Sequence, residues 1–390
     1  MTSLQRFSEK LFERQQNLTL RALQISKNGI DFYSNDYLGL ARNIKLASII
    51  KENYEKHAFL GNFIRNGATG SRLLSGNNVM VENLEKKLAK LFLAESALLF
   101  NSGYAANSAL LSTVTQKGDT IIYDSLIHAS LHEGCRLTFA NTWAFRHNDL
   151  VELEKKLQLA KGDKFVVIES VYSMDGDVAL LPEIVALCKY YKAYLIVDEA
   201  HSTGIYGENG NGLCCELGIE NDIFARVYTF GKAVGVHGAC VVGSQILVDY
   251  LVNFAKGFIY TTALPPHNLV SISTAFDFIA ENPQFKMALF SNIQYFNSLQ
   301  EENHKENHKE NHKENHNNFN TSIKAVKIVG NEACKKVATH LINLGFELRP
   351  IVAPTVAVGE ERIRICLHAY NTHEEIANLI AEMHKMSVGL

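Results

Sequence analysis

KFVVIESVYSMDGDVALLPEIVALCKYYKAYLIVDEAHSTG, residues Lys164–Gly204, decides the fold. Phe165–Val171 is a short run rich in apolar and β-branched residues, interrupted by Glu169 and Ser170, and Ala193–Val197 is a second apolar run. Runs apolar on both faces are strands buried on both sides of a sheet. Between them, Pro182 stands where a first helical position falls, ahead of the helical pattern EIVALCKYYK. Strand, helix, strand is the parallel crossover unit.

The same rhythm extends outward. VENLEKKLAKLFL from Val81, YAANSALLSTV and LIHASLHEGCRLTF carry helical spacing. Ala97–Phe100, TIIYD, TWAFRH, RVYTF and GACVVGS read as strands. Asp149 followed by Glu152 forms a capping-box variant before DLVELEKKLQLA, and Thr372 with Glu375 forms another near the C-terminus. The fold class is therefore α/β: a large, mostly parallel sheet flanked by helices, plus a small C-terminal α+β domain. The rhythm stops after about Asn282. Boundaries are expected at 1–47 (an N-terminal amphipathic helix, to about Lys27, and segment), 48–285 (the large domain) and 286–390 (the small domain).

Composition bounds the function. The chain has 390 residues, 47% hydrophobic and 20% charged, as a globular protein should and a disordered one should not. Lys and Arg number 38 against 41 Asp and Glu, a net charge of −3 that argues against nucleic acid as a partner. The 7 Cys (135, 188, 214, 215, 240, 334 and 366) show neither zinc spacing nor a disulfide framework. MTSLQRFSEKLFERQQ has no apolar signal core, and no run approaches the ~18 apolar residues of a membrane span. A cytoplasmic protein away from membranes is expected.

Ligands in open α/β sheets bind at the carboxyl ends of the strands. Asp198, Glu199, Ala200 and His201 follow one strand, and Gly231 and Lys232 follow another. Asn101-Ser102-Gly103-Tyr104 opens a helix after a third, and Asp124 and then His128 follow a fourth. Tyr172-Ser173-Met174-Asp175-Gly176-Asp177 follows a fifth. A lysine at a strand end beside glycines is a candidate Schiff-base former. A carboxylate at a dry sheet edge needs a cationic partner, and a protonated pyridine nitrogen is one. Pyridoxal phosphate (PLP) requires such a Lys and acid pair, and a helix N-terminus at Gly103-Tyr104 suits its phosphate.

FYSNDYLGLA, GATGSRLLSGN, FNSGYAAN, DSLIHASLHEG, ESVYSMDGDVA, VDEAHSTG, TFGKAVGVHGA and FIYTTALPP, in this order, resemble the α-oxoamine synthases. These are PLP enzymes of the aspartate-aminotransferase fold, fold type I. The resemblance runs from about Asp31 to about Ala369. It implies that Lys232 is the Schiff-base lysine and that Asp198 pairs with the ring nitrogen. His201 and Ser173 are implied near the phenolic oxygen, and His128 stacked on the ring. Gly103 and Tyr104 are implied to bind phosphate, with Thr229 nearby. Thr262 would reach the phosphate of the other subunit of a homodimer. Asn35 lies near the substrate, and Arg364 takes the amino-acid carboxylate. FNSGYAAN and FIYTTALPP lean toward the branch that joins L-alanine to a pimeloyl thioester in biotin biosynthesis. An N-terminal Arg that helps hold the acyl group is Arg14 or Arg21. Arg349 precedes the PTV segment by three residues more than the family's acyl-binding Arg does, which puts its equivalence in doubt.

Other readings compete. DEAH also occurs in helicase ATPases, but those need a phosphate loop, GxxxxGK[ST], and Gly231-Lys232 is followed by Ala233. His128 and His132, four apart, lack a third ligand, so no metal site is expected there. Ser173 and Asp175 would simply form a turn in the plainer reading. Arg362 and Arg364 share one strand face, and one of them would be only a surface charge. Glu302–His316 repeats ENHK, setting His304, His308, His312 and His316 four apart. A solvated tandem repeat is preferred over a nickel, copper or zinc stripe. The function alternatives are a glycine- or serine-using synthase of the same family and a metal-binding protein acting through the repeat.

Overall fold

The computed structural model describes residues 2–23, 25–26, 28–59, 66–306, 320–353 and 355–386. His308, His312 and His316 of the repeat and Pro354 of the PTV segment lie outside them. The chain forms two units. One comprises 38–173 and 177–286; the other comprises 1–37, 174–176 and 287–390.

Helix α1 (Ser3–Gln16), strand β1 (Ile30–Asp31) and helices α2 (Ile44–Phe59) and α3 (Val79–Leu91) come first. Strands and helices then alternate: β2 (Ser96–Phe100), α4 (Gly103–Val114), β3 (Thr120–Asp124), α5 (Ala129–Leu137), β4 (Asn141–Phe145), α6 (Leu150–Leu159), β5 (Lys164–Glu169), α7 (Leu181–Tyr191) and β6 (Tyr194–Asp198). The turn α8 (Leu213–Glu216), β7 (Ala225–Thr229), β8 (Ala239–Gly243), α9 (Gln245–Phe254), the turn α10 (Lys256–Ile259), α11 (Pro266–Glu281) and α12 (Gln284–Glu306) follow. Last come β9 (Ile323–Lys327), α13 (Asn331–Asn343), β10 (Phe346–Glu347), β11 (Arg349–Ile351), β12 (Arg362–Cys366) and α14 (His373–Lys385).

The large unit is built on a seven-stranded sheet in the order β2-β8-β7-β6-β5-β3-β4. Its pairs from β4 across to β7 are parallel, while β8 runs antiparallel to both neighbours. Val166, Val167, Ile168, Leu195, Ile196 and Val197 are all buried, as strands covered on both faces must be. Parallel pairing sets Glu169 level with Asp198, so the polar ends of adjacent strands line up on one edge. Pro182 sits in the first turn of α7, where its missing N–H costs nothing.

The smaller unit pairs β1 with β10 in parallel and carries the antiparallel sheet β11-β12-β9. Thr372 and Glu375 form the expected capping box at α14. At α6 only half of that device forms. Asp149 accepts the Glu152 N–H, but the Glu152 carboxylate turns to the Arg146 N–H at 2.9 Å. The N-terminal helix ends at Gln16 rather than near Lys27, because Leu18 adopts a left-handed conformation that stops it. The helix α12 occupies the stretch after Asn282 where sequence periodicity fades.

Candidate active site

The sheet edge of the large unit brings together most of the residues singled out by sequence. Asp198 ends β6 at 3% exposure, where an ionised carboxylate needs donors. It has two: the Ala200 N–H reaches Oδ1 at 2.8 Å and Asn107 Nδ2 reaches Oδ2 at 2.7 Å. Lys232 follows β7 by three residues, and its Nζ lies 2.7 Å from His201 Nε2. His128 caps α5, and its Nδ1 lies 2.8 Å from Ser130 Oγ. Desolvation of its ring lowers the His128 pKa; Asp198 opposes the drop and Lys232 adds to it.

Ser102 caps α4 by accepting the Ala105 N–H, which leaves the first helical N–H groups, those of Gly103 and Tyr104, to a ligand. Gly103 is required here, since a Cβ would run into the Thr229 methyl. Thr229 Oγ1 is buried with no hydrogen-bond partner among the described residues. Ser173 is buried nearby in sequence after β5, whereas Tyr104 is half exposed. Thr262 bridges to Ser71, and its carbonyl accepts Asn101 Nδ2 at 2.9 Å.

The donor set fits PLP. A held carboxylate suits a protonated ring nitrogen, a lysine amine suits the aldehyde, and a helix N-terminus beside an unsatisfied hydroxyl suits the phosphate. Among the described residues no group of three His, Cys, Asp or Glu could hold a metal ion.

Asn35 and Arg364 meet in the smaller unit. Arg364 Nη2 donates to Asn35 Oδ1 at 2.9 Å and to the Tyr37 hydroxyl at 3.3 Å, and Nη1 lies 2.9 Å from Cys366 Sγ. Arg349 stands directly across from Arg364 on β11 and lies over the Tyr33 ring at 4.5 Å. Arg362 is no mere surface charge: it is 8% exposed and pairs with Asp175, which is thus more than a turn residue. Arg21 is exposed and bonds Thr355 at 3.2 Å, and Arg14 is exposed in the last turn of α1.

Sequence reasoning gave no role to four residues of the large unit. Asn107 and Ser130 link Asp198 to His128. Glu169 is 2% exposed, with Oε1 unpartnered among the described residues. Burial pushes its carboxyl well above the ordinary range, and the Asp198 charge adds to this. His147 bridges Asp124 and Asp177. Burial pulls its pKa down, but hydrogen bonds to Asp124 and Asp177 and their charges outweigh this and hold it up at about 9. A run of acids ending parallel strands was the available signal; it required strand register to interpret.

Such an edge, with a lysine and a held carboxylate at the ends of parallel strands, defines a PLP enzyme of fold type I. The aminotransferase class I and II family model matches residues 27–383. The 8-amino-7-oxononanoate synthase of Emericella nidulans is 39% identical, with 95% of this chain and 93% of that one covered. That of Lysinibacillus sphaericus is 37% identical, with 91% and 88% covered. The solved serine palmitoyltransferase of S. paucimobilis with a bound PLP–myriocin aldimine matches with a TM-score of 0.86 and 26% identity, all of both chains covered. The Francisella tularensis 8-amino-7-oxononanoate synthase structure matches at 0.75 and 27%, with 93% of this chain and 98% of that one covered. The chain belongs to the aminotransferase class I and II family and, within it, to the α-oxoamine synthases. It is a PLP-dependent acyltransferase.

Proposed function

We propose that this enzyme condenses L-alanine with a pimeloyl thioester, releasing CO2 and the free thiol and forming 8-amino-7-oxononanoate for biotin synthesis. In this reading it works in the cytoplasm as a homodimer, with Thr262 reaching the partner's phosphate site. Among the described residues no helix is long and apolar enough to cross a membrane. The observation that carries the chemistry is the buried Asp198 carboxylate, held by two donors, on the sheet edge where Lys232 stands against His201. The names of the similar curated proteins support the substrates.

When bound, PLP supplies an aldehyde for the amino acid's nitrogen and a protonated ring that takes up the electron pair left on the α-carbon. Asp198 keeps the proton on the ring nitrogen. Lys232 Nζ takes the α-proton of the substrate and returns it after CO2 has left, with His201 Nε2 holding the amine in place. The His128 ring would lie against the coenzyme, and the Gly103 and Tyr104 N–H groups with Thr229 Oγ1 would hold its phosphate. Ser173 completes the contacts to the ring oxygen. Arg364, held by Asn35 and Tyr37, takes the substrate carboxylate, and Arg21 serves the acyl group.

One observation favours a second reading, a synthase using serine and a longer acyl thioester: the high TM-score to serine palmitoyltransferase. A panel of alanine, glycine and serine against acyl thioesters of increasing length, read as CO2 release, separates the two. Turnover confined to alanine with the pimeloyl thioester is expected. Preference for serine with a long chain would replace this proposal.

A further inference from the structure

Four side chains of the large unit are joined end to end, from the carboxylate of β6 to the ring at the start of α5. Asn107 is fully buried on α4. Its Nδ2 lies 2.7 Å from Asp198 Oδ2 and 2.9 Å from Ser130 Oγ. Ser130, 1% exposed, places Oγ 2.8 Å from His128 Nδ1, and its backbone N–H donates to the same nitrogen at 3.2 Å.

The direction of each bond follows from what each atom can do. An ionised Asp198 only accepts, so Asn107 turns its NH2 toward it. The second amide hydrogen then goes to Ser130 Oγ. Consistent with this, Asn107 Oδ1 is left buried without a partner among the described residues. The amide is set by its donor side alone. The Ser130 hydroxyl, already accepting from Asn107, has its own hydrogen to give, and His128 Nδ1 is the acceptor beside it. Two donors from one serine thus converge on Nδ1, so the ring's hydrogen sits on Nε2.

We propose that Asn107 and Ser130 are positioning residues that lock His128 as a neutral imidazole with its hydrogen on Nε2, so that the ring offers the site a hydrogen-bond donor and leaves proton acceptance to Lys232. The division of labour with Lys232 rests on the function proposed above; the tautomer stands on the geometry alone. Charging His128 at Nδ1 would set an N–H against the Ser130 backbone N–H and force the hydroxyl to turn. The other groups facing this ring agree or are accounted for. Lys232, after β7, opposes a positive charge on it, and Asp198, on β6, favours one. Glu169, on β5, accepts the His128 backbone N–H. His132 lies one turn further along α5.

Nitrogen-15 NMR of the full chain labelled at histidine tests this, with and without PLP, the His128 signal being assigned by its loss in His128→Gln. The neutral Nε2–H form is expected at neutral pH. Ser130→Ala, which removes one donor to Nδ1, should raise the imidazole pKa by about one unit. Asn107→Leu should raise it in the same direction. An Nδ1–H tautomer, an imidazolium at neutral pH in the wild type, or an unmoved pKa in folded Ser130→Ala would each overturn the proposal. If borohydride fails to fix PLP on Lys232 while the Nε2–H tautomer is found, the function fails and the positioning chain stands. If the reverse holds, only the positioning chain fails.

Discussion

The two units handle charge in opposite ways. The large one gathers acids at the ends of parallel strands: Asp124, Glu169 and Asp198 on β3, β5 and β6. Each has a different solution to burial. Asp124 is paired with His147, Glu169 is driven toward its neutral form, and Asp198 is held by amide donors. The smaller unit instead sets two arginines directly opposite on antiparallel strands, Arg349 across from Arg364, and Arg364 donates to Asn35 and Tyr37. Like charges directly opposite are unfavourable unless an anion comes between or beside them. Under the function proposed above, the acids of one unit serve a cationic ring and a proton transfer, and the arginines of the other serve a carboxylate. Asp198 and Arg364 should therefore fail differently when removed.

Asp198→Asn gives the largest effect. Losing the negative charge proposed to face the ring nitrogen should cost about 3–5 kcal/mol, roughly 10²–10⁴-fold in turnover. PLP should still bind, as read by its visible absorbance. Near-wild-type turnover would break the contrast at its strongest point. Arg364→Ala should instead act on binding: KM for the amino acid rises by about 10²-fold with PLP affinity unchanged. Arg364→Lys should recover little of it, because a point charge does not replace a two-toothed donor. A fall in kcat alone would place Arg364 with the proton chemistry and merge the two roles.

The acids of the large unit also make a pH prediction. The folded pKa of His147, about 9, lies above its ordinary 6.5. Its contribution is therefore complete below about pH 6.5 and is lost as pH rises through about 9; from that shift it is of order 1–3 kcal/mol. The thermal midpoint of the wild type should drop between neutral and alkaline pH, and that of His147→Gln should start lower and stay flatter. The smallest effect belongs to the other unit. Thr372→Ala removes the α14 cap and should cost about 1 kcal/mol without changing PLP binding.

Sequence reached far in one respect and stopped short in another. Lys232, Asp198, His128, His201 and Gly103 were legible because each follows a strand whose apolar run announces itself, and position after a strand is a one-dimensional signal. Asn107 sits mid-helix in YAANSALLSTV and Ser130 just inside LIHASL, where nothing in the pattern tells a buried polar link from a surface residue. Only the packing of α4 on α5 and the sheet brings Asn107 to Asp198. Glu169 was hidden for the same reason, since its meaning depends on lying level with Asp198. The antiparallel course of β8 was also invisible, because GACVVGS is as apolar as its parallel neighbours. The expectation that one of Arg362 and Arg364 is only a surface charge fails at Arg362, whose partner, Asp175, lies far away in sequence.

The central claim is that the Lys232 amine carries the coenzyme. Full-length protein supplied with PLP should be yellow, and borohydride reduction followed by peptide mass mapping should find the coenzyme on Lys232, with Lys232→Ala colourless and unlabelled. Label on another lysine, or none on any, would contradict the account.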